Sequence, residues 1–159
     1  MTQTLKWETW KLWVFCFFNI PLIFWLRPRI QALSDTEAVV MIKLNRRSRN
    51  HVHSMYFGAI CTGVDLVPGA IAMRLIKQQK EKISFVFKDF YGEFLHRCEG
   101  DVHFTCNEGS LIAAAIAKAK ATNERQNVTL NVTATVPSKS GDEPTGKFKL
   151  TLSLKKRAR

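Results

Sequence analysis

The segment MYFGAICTGVDLVPGAIAMRLIK, residues 55–77, constrains the fold more than any other part of the chain. It is rich in Ala, Ile, Leu and Met, has few strand formers in alternation, and reads as one long helix. Pro68-Gly69 is expected to bend or divide it, because proline removes a donor and clashes with the preceding turn. A single carboxylate, Asp65, interrupts the apolar run. Burying an unpaired carboxylate is expensive, so either a partner compensates Asp65 or a site uses it.

The flanking sequence supplies strands. EAVVMIKL (37–44), KISFVFKDF (82–90) and GDVHFTCNE (100–108) read as strands, with YGEFLHRCE (91–99) as an irregular connection. GSLIAAAIAKAKATNE (109–124) reads as a shorter helix with lysines near its end. NVTLNVTATV (127–136) and TGKFKLTLSLKK (145–156) alternate apolar and polar residues, and SKSGDEP between them makes a hairpin turn. The order is helix, strand, long helix, two strands, helix, two strands. Closing antiparallel strands place the chain in the α+β class, a sheet with a helix against one face.

Ahead of this unit, residues 1–30 form an apolar helical segment, and 31–159 form the main domain. LWVFCFFNIPLIFWL (12–26) is shorter than the roughly 20 residues that span a bilayer, and Asn19 and Pro21 interrupt it. Arg27-Pro28-Arg29 follows in place of a small-residue cleavage site. Trp7, Trp10 and Trp13 recur at helical spacing, the pattern of a helix packed on the domain, and residues 12–26 are also apolar enough for peripheral contact with a membrane surface.

The formal net charge of +11 favours anionic partners without choosing among them. Cys16, Cys61, Cys98 and Cys106 lack framework spacing and read as free thiols of a reducing, cytoplasmic setting. His96, Cys98, His103 and Cys106 lack the paired spacing of a compact zinc site, so no metal is expected. No Walker-type loop and no Gly-x-Ser-x-Gly elbow occurs. Phe85, Phe87, Phe90 and Phe94 have few interleaved lysines and fit a core or acyl-pocket wall rather than a base-stacking face, so nucleic acid is not the expected partner.

Asn50, then Tyr56-Phe57-Gly58, then Asp65 seven residues after Gly58, resembles the Asn, His-Gly-Gly, Asp pattern of hotdog-fold thioesterases, particularly the phenylacetyl-CoA thioesterase (PaaI-like) group. FLHRCEGDV (94–102) resembles the Phe-Leu-Arg-Pro-Ala-x-Gly-Asp-Val strand entry of that group, and NIPLIFWLRPRIQALS (19–34) is similar to the lead-in of a poorly characterised branch. Tyr56 and Phe57 stand where the family has His and the first Gly. The resemblance implies an antiparallel sheet wrapped around a long central helix, and hydrolysis of a hydrophobic acyl- or aryl-CoA thioester. It implies Asp65 as nucleophile or general base, Gly58 as oxyanion donor and Asn50 as a positioning residue. Tyr56, Phe57, His51, His53 and Arg97 would lie beside the substrate, the two histidines sharing one side if their segment is extended. No cofactor is implied beyond coenzyme A as part of the substrate. A non-catalytic acyl- or lipid-binding protein of the same fold, with Asp65 bonded at the Pro68 kink, is the alternative.

Spacing adds a constraint of its own. Seven residues of helix separate Gly58 from Asp65 by roughly 10 Å along the axis, too far for one carbonyl to touch both. Antiparallel central helices in a two-fold dimer would bring Asp65 of one subunit toward Gly58 of the other. The expected assembly is a homodimer or a tetramer of dimers.

Overall fold

The computed structural model describes residues 3–79 and 82–157. Two helices open the chain, α1 (Gln3–Asn19) and α2 (Pro21–Leu26), followed by strands β1 (Arg29–Leu33) and β2 (Ala38–Ile42). The long helix α3 (Phe57–Lys77) leads to β3 (Ile83–Phe94), β4 (Val102–Cys106) and α4 (Gly109–Thr122). Strand β5 (Gln126–Thr135), the one-turn helix α5 (Pro137–Ser140) and β6 (Pro144–Lys156) complete it. The strands form one six-stranded sheet in the order β1-β2-β4-β5-β6-β3, with every adjacent pair antiparallel. Helix α3 packs on β2, β4 and β5, while α4 lies beside it over β5 and β6. The fold is α+β, as the strand and helix patterns require.

Four expectations change. Pro68 does not divide α3, which runs unbroken from Phe57 to Lys77. Ile60, Val64, Val67, Ile71 and Leu75 are buried on both sides of the proline, and this packing outweighs one missing backbone bond. Residues 91–94 are not irregular: β3 continues through them because β6 stays paired with it from Ile83 to Phe94, across a bulge between Phe87 and Phe90. Strand β1 begins at Arg29 and Ile30, inside the segment expected to be helical, and RIQAL is held as a strand by pairing with β2. The SKSGDEP turn contains a helical turn, α5, closed by Gly141 at φ 58°.

The N-terminal helices are joined to the sheet by specific bonds. Ile30 N donates to Thr9 Oγ1 at 3.0 Å, and Trp13 Nε1 donates to the Pro28 carbonyl at 2.6 Å. Pro21 at the first turn of α2 ends α1 at Asn19, since proline cannot continue a preceding helix without losing a bond. Arg27, in the left-handed region at φ 53°, closes α2, and its guanidinium lies over the Trp13 and Phe24 rings.

By length and composition α3 could cross a bilayer, but 56% of its most apolar window is buried inside the protein, as in a core helix. At Gly63 it comes close against the sheet. A Cβ there would collide with the ring of Phe104, which is fully buried on β4. Gly63→Ala should therefore lower stability by about 1–3 kcal/mol through overpacking, read as a lower urea midpoint at unchanged slope. Adding Phe104→Leu should restore part of that loss.

Candidate active site

The chain reaches the start of α3 through a tightly bonded loop, residues 45–56. Buried Ser48 accepts the Asn45 N–H at 3.0 Å and donates to the Lys43 carbonyl at 2.5 Å. Its own carbonyl takes the Tyr56 N–H at 2.7 Å, and Met55 N donates to the Cys98 carbonyl at 2.8 Å. These bonds hold the exit of β3 beside the N-terminus of α3. Between the two lies a cavity of about 360 Å³. Its wall is largely apolar, with Met55, Phe57, Ile60, Phe94 and Leu95, and its polar groups come from Asn50, Ser54, His96 and Arg97. The Phe57 and Phe94 rings meet at 5.6 Å, and Phe94 packs on Phe148, which fixes the aromatic side of the wall.

No side chain caps α3. Its first internal bond is from Ala59 N to the Tyr56 carbonyl, so the N–H groups of Phe57 and Gly58 point out of the helix end, where positive potential concentrates. Gly58 lacks a Cβ for a local reason: one would stand 2.6 Å from Cε1 of Tyr56, whose ring folds back over it. Below Gly58, the half-exposed residues Cys61, Thr62 and Asp65 continue one face of the helix. Thr62 Oγ1 donates to the Gly58 carbonyl at 2.7 Å.

Asp65 makes no hydrogen bond or ion pair among the described residues. Burial removes water from its carboxylate and raises its pKa from 3.8 to about 6. No backbone group near Pro68 bonds to it among the described residues: α3 is continuous there, and the group Pro68 leaves unpaired is the Val64 carbonyl, an acceptor like the carboxylate itself. Asp65 lies two turns from the cavity and does not line it.

The other expected residues divide by position. Asn50, Phe57 and Arg97 line the cavity. The Asn50 oxygen already accepts the N–H groups of Val52 and Ser54, and its amide donates to Ser54 Oγ at 3.0 Å, so it chiefly shapes the loop. Tyr56 covers Gly58 from outside the cavity. His51 and His53 sit in an exposed turn rather than an extended segment, with His53 at φ 62°, and neither reaches the cavity wall. Sequence reasoning missed Ser54, Met55, Ile60 and Leu95. The signal was present for Leu95, inside the FLHRCEGDV match, but not for Ser54 or Met55, which arrive through loop bonding. Among the described residues no three His, Cys, Asp or Glu side chains gather as metal ligands do. Burial raises the Cys98 thiol, whose sulfur lies 3.5 Å from Thr145 Oγ1, away from the reactive range.

A six-stranded antiparallel sheet packed on one long central helix is the hotdog fold, and solved structures share it across nearly the whole chain. A protein of unknown function from Chlorobaculum tepidum has a TM-score of 0.80 at 11% identity, covering 96% of this chain and 97% of its own. A thioesterase from Haemophilus influenzae has 0.67 at 14% identity, covering 98% and 93%. A mutant thioesterase from Pseudomonas aeruginosa has 0.66 at 12%, covering 94% of each. The likeness is to hotdog proteins broadly and does not single out the phenylacetyl-CoA group. Residues 9–152 match the family described as domain of unknown function DUF4442, and the chain belongs to that family. Comparison with curated proteins finds none that matches.

The raised pKa of Asp65 has a consequence for folding. Below about pH 4 the carboxyl is protonated whether the chain is folded or unfolded, and it costs nothing. Between pH 4 and 6 the unfolded chain ionises while the folded one does not, so stability falls as pH rises. Above pH 6 the full cost remains. Asp65→Asn should match the wild type near pH 4 and exceed it by up to about 3 kcal/mol at pH 8, measured by urea unfolding across that range.

Proposed function

We propose that this protein hydrolyses CoA thioesters of hydrophobic acyl or aryl groups, at a site that a second copy of the chain completes. The observation that carries the reading is Asp65: a half-buried carboxylate without a partner among the described residues, on the same face of α3 as the uncapped helix start. With a pKa near 6, Asp65 is ionised at neutral pH and more basic than an ordinary carboxylate. In the leading form it takes a proton from water as the water oxygen bonds to the thioester carbon. Direct attack by the carboxylate is the other form. The carbonyl oxygen gains charge and is held by the N–H groups at Phe57 and Gly58. Collapse breaks the C–S bond, and the thiolate leaves and takes up a proton. The apolar cavity beside the helix start suits the acyl or aryl group, and Arg97 at its wall suits an anionic part of the coenzyme.

The assembly follows from the axial gap between Gly58 and Asp65, which antiparallel α3 helices from two subunits would close. Cys61, Thr62 and Asp65 present a small, half-exposed face to such a partner, with the Tyr56 ring over Gly58 at its upper end. Strand β3 supplies a means of association: twelve residues long, it pairs only with β6 among the described residues and ends the sheet, with Val86, Phe90, Tyr91 and Phe94 exposed beside Lys88, Asp89 and Glu93. An unpaired edge of this length is a template for pairing with another chain.

Hydrolysis assayed across short, long and aromatic acyl-CoAs should be detectable for the wild type and fall by about 10²–10⁴ in Asp65→Asn. The wild-type kcat/KM should decline as pH drops below about 6, as the base becomes protonated. A folded dimer that binds these thioesters without turnover would establish the non-catalytic alternative instead. Val86→Asp with Tyr91→Asp should yield a folded monomer by sedimentation velocity, and that monomer should have lost hydrolysis.

A further inference from the structure

The N-terminal helices turn apolar side chains outward. On α1, Thr9 and Cys16 are buried and Leu5 and Leu12 pack on the core, yet the opposite face is not polar. Trp7, Trp10, Val14, Phe17 and Phe18 recur there at intervals of three and four, one stripe of a 3.6-residue period. The Trp7 and Trp10 rings stack at 4.8 Å, which confirms that they share that face. Helix α2 extends the surface: Phe24 meets Phe17 at 5.1 Å, Leu22 is 64% exposed and Trp25 is 58% exposed. Soluble surfaces rarely leave so continuous an aromatic patch uncovered.

Charge identifies what covers it. Between Glu8 and Asp35 the sequence has no acidic residue, while Lys11, Arg27 and Arg29 occur in that interval. Glu8, the one acid of α1, is paired with Lys11. The basic loop Arg46-Arg47 comes to the same surface, where the Arg47 guanidinium lies 5.1 Å from the Trp25 ring centre and its Nη1 donates to the Trp25 carbonyl. Tryptophans sit toward the two ends of the patch, with Phe, Val and Leu between them. Indoles favour the headgroup level and aliphatic and phenyl groups the acyl boundary. The sheet order sets this surface, joined to β1, at the edge opposite β3. Pairing through β3 therefore leaves it open.

We infer that α1 and α2 are a docking surface for an anionic membrane, lying in the interface plane with Arg27, Arg46 and Arg47 on lipid headgroups. The occupant is a lipid bilayer rather than a second copy of the chain. The test is co-sedimentation of the full chain with phosphatidylcholine vesicles, with and without phosphatidylserine. Binding should require phosphatidylserine for full strength and weaken as salt is raised. Phe18→Ser with Leu22→Ser should reduce partitioning by about tenfold or more. Arg46→Glu with Arg47→Glu should abolish the preference for phosphatidylserine. Brominated phosphatidylcholine should quench tryptophan emission of the wild type, an independent reading that needs no variant. Absence of binding to either vesicle by the folded chain overturns the inference, as does unaltered binding by Phe18→Ser/Leu22→Ser. It falls equally if that variant converts a larger assembly to a smaller one while the wild type ignores vesicles, since a second copy then covers the surface.

Discussion

The contact between Gly63 and Phe104 sets how deeply α3 sits in the sheet, and much of the remaining structure depends on that depth. A side chain at position 63 would hold the helix off β4. Seated closely, α3 buries apolar groups along its length and remains continuous through Pro68. Its N-terminus then falls beside the exit of β3, and the bond from Met55 N to the Cys98 carbonyl fixes the two together. The apolar cavity is the space left between them.

The same seating places Asp65 under tension. A helix wrapped by a sheet has little room for a charged side chain, and Asp65 is half-buried on its accessible face with its proton affinity raised. Partial desolvation makes a carboxylate a stronger base and a costlier structural element for one physical reason: the ion has lost water without gaining a donor. Stability and basicity are therefore opposed at this position. Tyr56, where the resemblance calls for a smaller turn, folds over Gly58 and leaves the helix-end N–H groups uncapped.

The two edges of the sheet have different surroundings. At β1, α1 packs on the strand and, with α2, directs an aromatic stripe away from the domain. At β3, no further strand pairs the outer edge among the described residues, and Val86, Phe90 and Tyr91 are exposed there beside Lys88, Asp89 and Glu93. Both surfaces carry exposed apolar side chains, and at the first the residues between Glu8 and Asp35 include no acid. The two surfaces lie at opposite edges of the sheet, so an occupant of one leaves the other open.

Much of the fold was legible in the sequence. The long apolar helix with its single acid, the alternating strands of the closing hairpin and the alanine-rich α4 declare themselves by local periodicity, which reflects which faces must leave water. The Asn50, Gly58 and Asp65 spacing was legible too. The tryptophan repeat of α1 was legible as a helix but not in its direction: the spacing suggested rings packed on the domain, whereas Trp7 and Trp10 face outward and only Trp13 turns partly inward. Tertiary structure decided the rest. RIQAL is a strand because β2 offers it hydrogen bonds, residues 91–94 stay extended because β6 continues beside them, and Pro68 sits within a helix because packing exceeds the cost of one lost bond. Tertiary structure also put Ser54, Met55 and Leu95 on the cavity wall and kept His51 and His53 away from it, since loop hydrogen bonds rather than residue type direct that turn. Periodicity is a property of consecutive residues, whereas pairing, cavity walls and desolvation arise from residues far apart in the chain.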